Sequence, residues 1–394
     1  MFKDQDIICI STIDWDFLWQ RHQIFMHRFA QAGNRVFYLE NLNPNLEINR
    51  MLITKIFARI AKIFFRAGAE ERKAEANLTV ITPFIIPFKN RTADFLNENI
   101  FLKILLFYFR LKGIKSPVIW TYTSTSSVLK LINDLNPCFL AYDCVFDASL
   151  HPGSPKDIAI SEKKLITAAN LILTDNHYLF QKCKNINSNT HLMPPGVDYE
   201  SFANSQIAID AGCFSNIKKP RICFFGGIDQ IRLDLELIAF IAEKKPDWSI
   251  VLLGPVIKTD ISCLKLANVF LKGPVEHERL PGYLAEIDIL ILPYKIIPFS
   301  KSIFPAKIFE CLATGKPVIS TPLEELSYLK NKPIKIASAK EEFLKSIEEA
   351  LASDQEEAKK ERLKTAQDNS WAKRLESLEN IIRETMAKNK KTAF

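Results

Sequence analysis

Lys307 and Glu310 stand three residues apart in the stretch Phe299-Ser300-Lys301-Ser302-Ile303-Phe304-Pro305-Ala306-Lys307-Ile308-Phe309-Glu310. The stretch runs on through Cys311-Leu312-Ala313-Thr314-Gly315 to the apolar run Val318-Ile319-Ser320. Three residues is close to one helical turn, so the ammonium and the carboxylate share a face. The pattern predicts a loop, then a helix over 303–314 with its N-terminus near Phe304, closed by Gly315. A helix N-terminus offers free backbone N–H groups and the positive end of the dipole. With the charge of Lys307 added, that end suits a phosphate. The Glu310 carboxylate can accept both hydroxyls of a ribose. The alternative is a Lys–Glu pair on the surface of an ordinary amphipathic helix.

Two further clusters follow apolar runs. Tyr142-Asp143-Cys144-Val145-Phe146-Asp147 comes after the run at 138–142. Ligands gather at the carboxyl ends of parallel strands, so Asp143 or Asp147 is placed to act as a general base on a hydroxyl. The alternative is that they cap a loop. Ser11-Thr12-Ile13-Asp14-Trp15-Asp16, followed by Trp19, Arg21 and His22, comes after the run at 7–10. Asp14-Trp15-Asp16 spells a D-x-D, a spacing that can chelate manganese. An aspartate near a strand end is often only a helix cap, and no metal is expected here.

Such groups need a frame that sets several strand ends side by side. The chain alternates short apolar runs with helical patterns. A strand at 7–11, a helix at 17–32 ending at Gly33 and a strand at 35–39 make the unit of a parallel doubly wound sheet. Runs at 118–122, 138–142 and 171–174 continue it, separated by helices at 126–135 and 161–169. The pattern restarts at 221–225, which ends in Gly226-Gly227, and recurs at 249–253, 269–271, 287–292 and 318–320. The polar stretch 203–219 reads as a linker between the halves. The tail at 338–385 is charged and helical, broken at Trp371.

Length and composition agree with a folded chain of this kind. The 394 residues suggest two or three domains, and 47% hydrophobic with 25% charged residues exclude a disordered or collagen-like chain. A net charge of +7 does not by itself call for nucleic acid. The eight cysteines are scattered without a C-x-x-C pair. With no secretory signal and no apolar run near the roughly 20 residues of a membrane span, reduced thiols and a cytoplasmic location are expected. One segment stands apart. The insert at about 50–116 carries Arg50, Lys55, Arg59, Lys62 and Arg66 among apolar residues, then Phe107 and Phe109 between Lys103 and Arg110. A basic amphipathic helix of this kind either lies on the inner face of a membrane or packs on its own domain.

The stretch at 299–320 resembles the donor-binding element of the family-four (group 1) glycosyltransferases, which have the GT-B fold. Other motifs follow in the family's order. Met193-Pro194-Pro195-Gly196-Val197-Asp198 is similar to its Asn-Gly-Val-Asp crossing, with Pro195 for Asn. Phe224-Phe225-Gly226-Gly227, Leu252-Leu253-Gly254-Pro255, Phe270-Leu271-Lys272-Gly273-Pro274-Val275 and Asp288-Ile289-Leu290-Ile291-Leu292-Pro293-Tyr294 resemble its next strand ends.

The resemblance implies two doubly wound Rossmann-like domains facing a central cleft. Residues 1–195 would bind the acceptor, 196–370 would bind a nucleotide sugar, and a last helix at 371–394 would cross back to the first domain. It places Gly226, Gly227, Val275, Ser302, Phe304, Pro305, Lys307 and Glu310 at the donor. Glu310 matches the second carboxylate of the family's glutamate pair, while Ser302 stands where the first belongs. Arg232 lies near the arginine of the family's diphosphate clamp, but no lysine follows five residues on, and Lys307 would substitute. With Asp143, these two would carry the chemistry. Asp16, Arg21, His22 and Asp147 would meet the acceptor.

The implied activity is metal-independent, cofactor-free and retaining transfer of a hexose from a UDP or GDP sugar to a glycan or lipid-linked acceptor, in cell-surface polysaccharide synthesis. The rivals are a non-catalytic subunit of the same fold that binds a glycan or partner, and a nucleotide-sugar epimerase. A dinucleotide-dependent dehydrogenase does not fit, because no G-x-G-x-x-G follows the first strand.

Overall fold

A computed structural model describes residues 2–16, 19–40, 69–83, 97–150, 154–204, 212–302, 304–329 and 333–392. The chain divides into two compact units, Met1–Met193 with Glu376–Phe394, and Pro194–Leu375. The first unit contains β1 (Asp6–Ile10), α1 (Arg21–Gln31), β2 (Arg35–Leu39), β3 (Ala69–Glu75), β4 (Leu78–Pro83) and α2 (Leu102–Leu111). It continues with β5 (Val118–Thr121), α3 (Ser126–Leu135), β6 (Phe139–Cys144), α4 (Ile158–Ala168), β7 (Leu171–Thr174), α5 (His177–Lys184) and β8 (Thr190–Leu192).

Its eight strands run in the order β3-β4-β2-β1-β5-β6-β7-β8. All neighbours are parallel except β3 and β4. The inner strands are buried along nearly their whole length, as parallel strands covered on both faces must be. β3 and β4 come from the insert, where the sequence predicts no strand. β3 reads Ala-Glu-Glu-Arg-Lys-Ala-Glu, with no apolar alternation to reveal it, and such charge suits an edge strand. Arg50, Lys55, Arg59, Lys62 and Arg66 lie outside the described residues.

The second unit contains α6 (Tyr199–Ala203), β9 (Arg221–Phe225), α7 (Leu235–Lys244), β10 (Ser249–Leu253), β11 (Val269–Gly273), α8 (Leu280–Ala285) and β12 (Ile289–Leu292). α9 (Ile308–Ala313), β13 (Val318–Ser320), β14 (Lys335–Ile336), α10 (Lys340–Ala352) and α11 (Glu356–Asp368) complete it. The sheet is parallel throughout, in the order β11-β10-β9-β12-β13-β14. α12 (Trp371–Thr392) begins in this unit and belongs to the first from Glu376 onward. There Glu379 pairs with Arg28 at 3.1 Å, and Thr385 accepts from Asn189 at 3.2 Å.

Some boundaries differ from expectation for local reasons. α1 begins at Arg21, not at 17. The stretch 203–219 is no free linker along its described part, because Phe214 and Ile217 are buried in the core of the second unit. α9 is six residues long and begins at Ile308, not near Phe304. Proline disfavours helical geometry in the residue before it, so Pro305 delays the start.

Candidate functional site

In the second unit, β9 and β10 end side by side, and each is followed by glycine in the left-handed region. Gly226 has φ of +128° and Gly254 of +145°. A Cβ on Gly254 would lie 2.0 Å from the carbonyl oxygen of Gly226, so the two turns touch backbone to backbone. A Cβ on Gly226 would lie 2.1 Å from Cε of Lys307, and one on Gly227 would lie 3.2 Å from Nη2 of Arg232. The Lys307 side chain therefore lies over Gly226, and Arg232 lies beside Gly227 next to the apolar Ile257, whose Cδ1 is nearer at 2.7 Å. This is a surface that an oxyanion can approach closely, with charge supplied from above.

Arg232 is held by an ion pair. Asp229, itself buried, accepts from the Arg232 side chain at 2.7 Å and from the backbone N–H groups of Ile231 and Arg232. Arg232 keeps 46% of its side chain exposed. Lys307 is the N-cap of α9 and is half-buried. Burial pulls its ammonium below the usual lysine range, Glu310 works against that, and Arg232 adds to the lowering. A six-residue helix contributes little dipole, so the expected helix-end site is corrected to one carried by side-chain charge.

Glu310 accepts from Nε2 of His277 at 3.0 Å. That hydrogen bond raises the imidazole above the ordinary histidine range, against the opposing effect of burial. The Phe202 ring meets His277 edge-on at 5.7 Å. Val275 packs half-buried against the core, two residues before His277. Ser302, Phe304 and Pro305 are buried, with the Phe304 ring stacked on Phe309 at 5.5 Å. These three do not present side chains to solvent.

Sequence reasoning missed His277 and Asp229. Asp229 had a signal, since it sits three residues before Arg232. His277 had none, because it meets Glu310 from 33 positions away.

In the first unit the expected acceptor residues divide. Asp143 lies within β6, fully buried, with one oxygen 2.8 Å from Nε of Arg21 and the other 2.8 Å from Nη2. Arg21 also donates to the carbonyl of Met193. Burial raises the Asp143 carboxyl above the usual range, while Arg21, then Trp120 and Tyr122, offset this. Closed inside the core beside Arg21, Asp143 does not reach solvent in this structure. Arg21 is likewise committed to the pair.

His22 is buried, stacked on Tyr122 with ring centroids 3.4 Å apart, and its Nδ1 meets the Ser11 hydroxyl at 2.9 Å. Burial and the Arg21 cation lower it to about 3, so the ring is neutral. Asp147 is buried too, held by Ser149, Tyr178 and Lys182. Burial opposes its charge, but those hydrogen bonds keep it below the usual carboxylate range.

Asp16 alone of the four acceptor candidates reaches solvent, 72% exposed, and it pairs with Arg72 of β3 at 2.7 Å. Trp15 and Trp19 meet edge to face at 5.3 Å beside it, Trp19 being exposed. Arg72 went unnamed at the sequence level because β3 was not legible.

Residues 219–353 match the sequence profile of the family described as glycosyl transferases group 1. Among curated proteins, the chain is 32% identical over 229 residues to the putative teichuronic acid biosynthesis glycosyltransferase TuaH of Bacillus subtilis (strain 168). That match covers 55% of this chain and 57% of the relative, a little over half its length. Among solved structures, sucrose-phosphate synthase of Thermosynechococcus elongatus superposes with a TM-score of 0.70 at 14% identity, over 97% of this chain and 99% of that one. HepE of Anabaena in complex with UDP superposes with a TM-score of 0.66 at 11% identity, over 96% of this chain and 99% of the other. The chain has the GT-B fold, and residues 219–353 are similar in sequence to the group 1 glycosyl transferases.

Proposed function

We propose that this chain is a glycosyltransferase that moves a hexose from a UDP or GDP sugar to a glycan or lipid-linked acceptor in cell-surface polysaccharide synthesis. The observation that carries the reading is Lys307 over Gly226 and Arg232 beside Gly227, with Glu310 one helical turn from Lys307. The diphosphate lies on the glycine turn beneath Lys307 and Arg232, and Glu310 takes the ribose hydroxyls. As the bond from the anomeric carbon to the diphosphate oxygen breaks, charge grows on the leaving group and the two cations stabilise it. The acceptor hydroxyl oxygen bonds to the same face of that carbon, and its proton passes to the departing diphosphate. This front-face course retains configuration, needs no carboxylate nucleophile and calls on no metal ion or cofactor. It assigns no chemistry to Asp143. An acceptor carried on a lipid puts the work at the cytoplasmic face of a membrane.

A non-catalytic binder of the same fold is the second reading, favoured by Ser302 in place of the family's first glutamate and by its complete burial. Thermal shift with UDP, GDP and their sugars, on wild type and Glu310→Ala, tests the choice. A ligand at about 100 times its Kd stabilises by about 2.7 kcal/mol. Stabilisation by one nucleotide that Glu310→Ala abolishes supports the transferase. No shift with any nucleotide overturns it.

A further inference from the structure

The outer face of α2 takes no part in the site described above, yet it is apolar. Ile100, Phe107 and Leu111 are 43%, 59% and 65% exposed. The half-buried Ile104 with Phe107 and Leu111 falls at i, i+3 and i+7, one stripe along one side of the helix, and Ile100 precedes it in the π-helical turn Asn97–Phe101. The opposite side is already used, since Leu102, Leu105, Leu106 and Phe109 are buried in the core of the first unit. A helix that is apolar on both sides at a domain surface has one side more than its own fold needs.

The charges beside the stripe say what covers it. Lys103 and Arg110, seven residues apart, are exposed along its flank, and Lys112 and Lys115 follow the end of the helix. No aspartate or glutamate occurs between Ile100 and Ser116. Lys112 is engaged with Glu71 at 2.9 Å, so the flanking pair carries most of the argument. A second copy of this chain would set these cations against themselves. An anionic lipid surface matches both the charge and the apolar stripe.

We propose that α2 docks the chain on an anionic bilayer, with Ile100, Phe107 and Leu111 at the boundary of head groups and acyl chains and Lys103 and Arg110 on lipid phosphates. This deepens the lipid-linked acceptor reading and rests on it only for its purpose.

Vesicle flotation of the full chain is the test. Wild type floats with vesicles of phosphatidylcholine mixed equally with phosphatidylglycerol, and much less with phosphatidylcholine alone. The double variant Phe107→Ser/Leu111→Ser keeps its melting temperature, because both side chains are exposed, and loses affinity roughly tenfold or more. Lys103→Gln/Arg110→Gln loses the preference for anionic lipid, about fivefold per cation. Wild type that fails to float with phosphatidylglycerol overturns the proposal, as does Phe107→Ser/Leu111→Ser binding like wild type. A solution dimer that this variant converts to monomer, without flotation of either, assigns the face to a second copy instead. UDP and GDP stabilisation is read on the same preparations. Its absence with flotation intact sinks the transferase reading alone, and its presence without flotation sinks the docking alone.

Discussion

Nε2 of His277 lies 3.0 Å from Oε1 of Glu310, joining the loop that follows β11 to the helix capped by Lys307. The carboxylate assigned to a ribose thus already holds a hydrogen-bond partner. The imidazole is raised by this bond, so it gains protonation on folding. The stabilisation is fully present below the unfolded value of about 6.5 and is lost as pH rises through the higher folded value. His277 is 44% exposed, so solvent screens the pair, and the effect is about 0.5 kcal/mol. Melting temperatures of wild type and His277→Ala should differ at about pH 6 and converge at about pH 9. A gap that widens with pH contradicts the pairing.

Gly226→Ala and Gly254→Ala should differ in kind. Both positions have positive φ, a strain on the order of 1–3 kcal/mol for alanine. At Gly226 the new Cβ meets the flexible Lys307 side chain, which can swing away. Gly226→Ala should fold and lose nucleotide binding. At Gly254 the new Cβ meets the backbone oxygen of Gly226 at 2.0 Å, which cannot move without the strand. Gly254→Ala should be the less stable of the two by denaturant midpoint. Equal midpoints would show that the turns are looser than drawn.

Asp143 and Arg21 should behave as a structural pair. Removing one partner of a buried ion pair leaves the other charge unpaired, at a cost of about 3–5 kcal/mol. Asp143→Ala should lose that much by denaturant unfolding, and Asp143→Ala/Arg21→Met should recover a large part. A catalytic carboxylate would give the reverse, with stability nearly unchanged and turnover lost.

The frame was legible where chemistry is local. Apolar runs of three or four residues marked β5, β7, β9, β10 and β12, because strands covered on both faces are mostly apolar. β3 was invisible, since a charged edge strand has the composition of a loop. Lys307 and Glu310 could be read from a spacing of three. The burial of Asp143 could not, because its partner Arg21 lies 122 positions earlier and only the sheet brings them together. Local spacing reaches partners within one element, and pairs set by the sheet lie beyond it.

Lys307 and Glu310 should fail differently, and this separates the two halves of the proposed donor site. Lys307 lies over the glycine turn, where a diphosphate would sit, so Lys307→Ala should weaken UDP or GDP while leaving the bare nucleoside unchanged. A hydrogen bond to a charged group is worth about 1.5–3 kcal/mol, which is roughly 10- to 150-fold in Kd. Lys307→Arg should restore part of this, because the charge returns at a different reach. Glu310→Ala should weaken nucleoside and nucleotide alike, since its partner is the ribose common to both. Calorimetric titration of uridine, guanosine and their diphosphates into the three variants reads all of these at once. Equal losses for nucleoside and diphosphate in Lys307→Ala would remove it from the phosphate clamp and leave that role to Arg232, whose side chain Asp229 already holds beside Gly227.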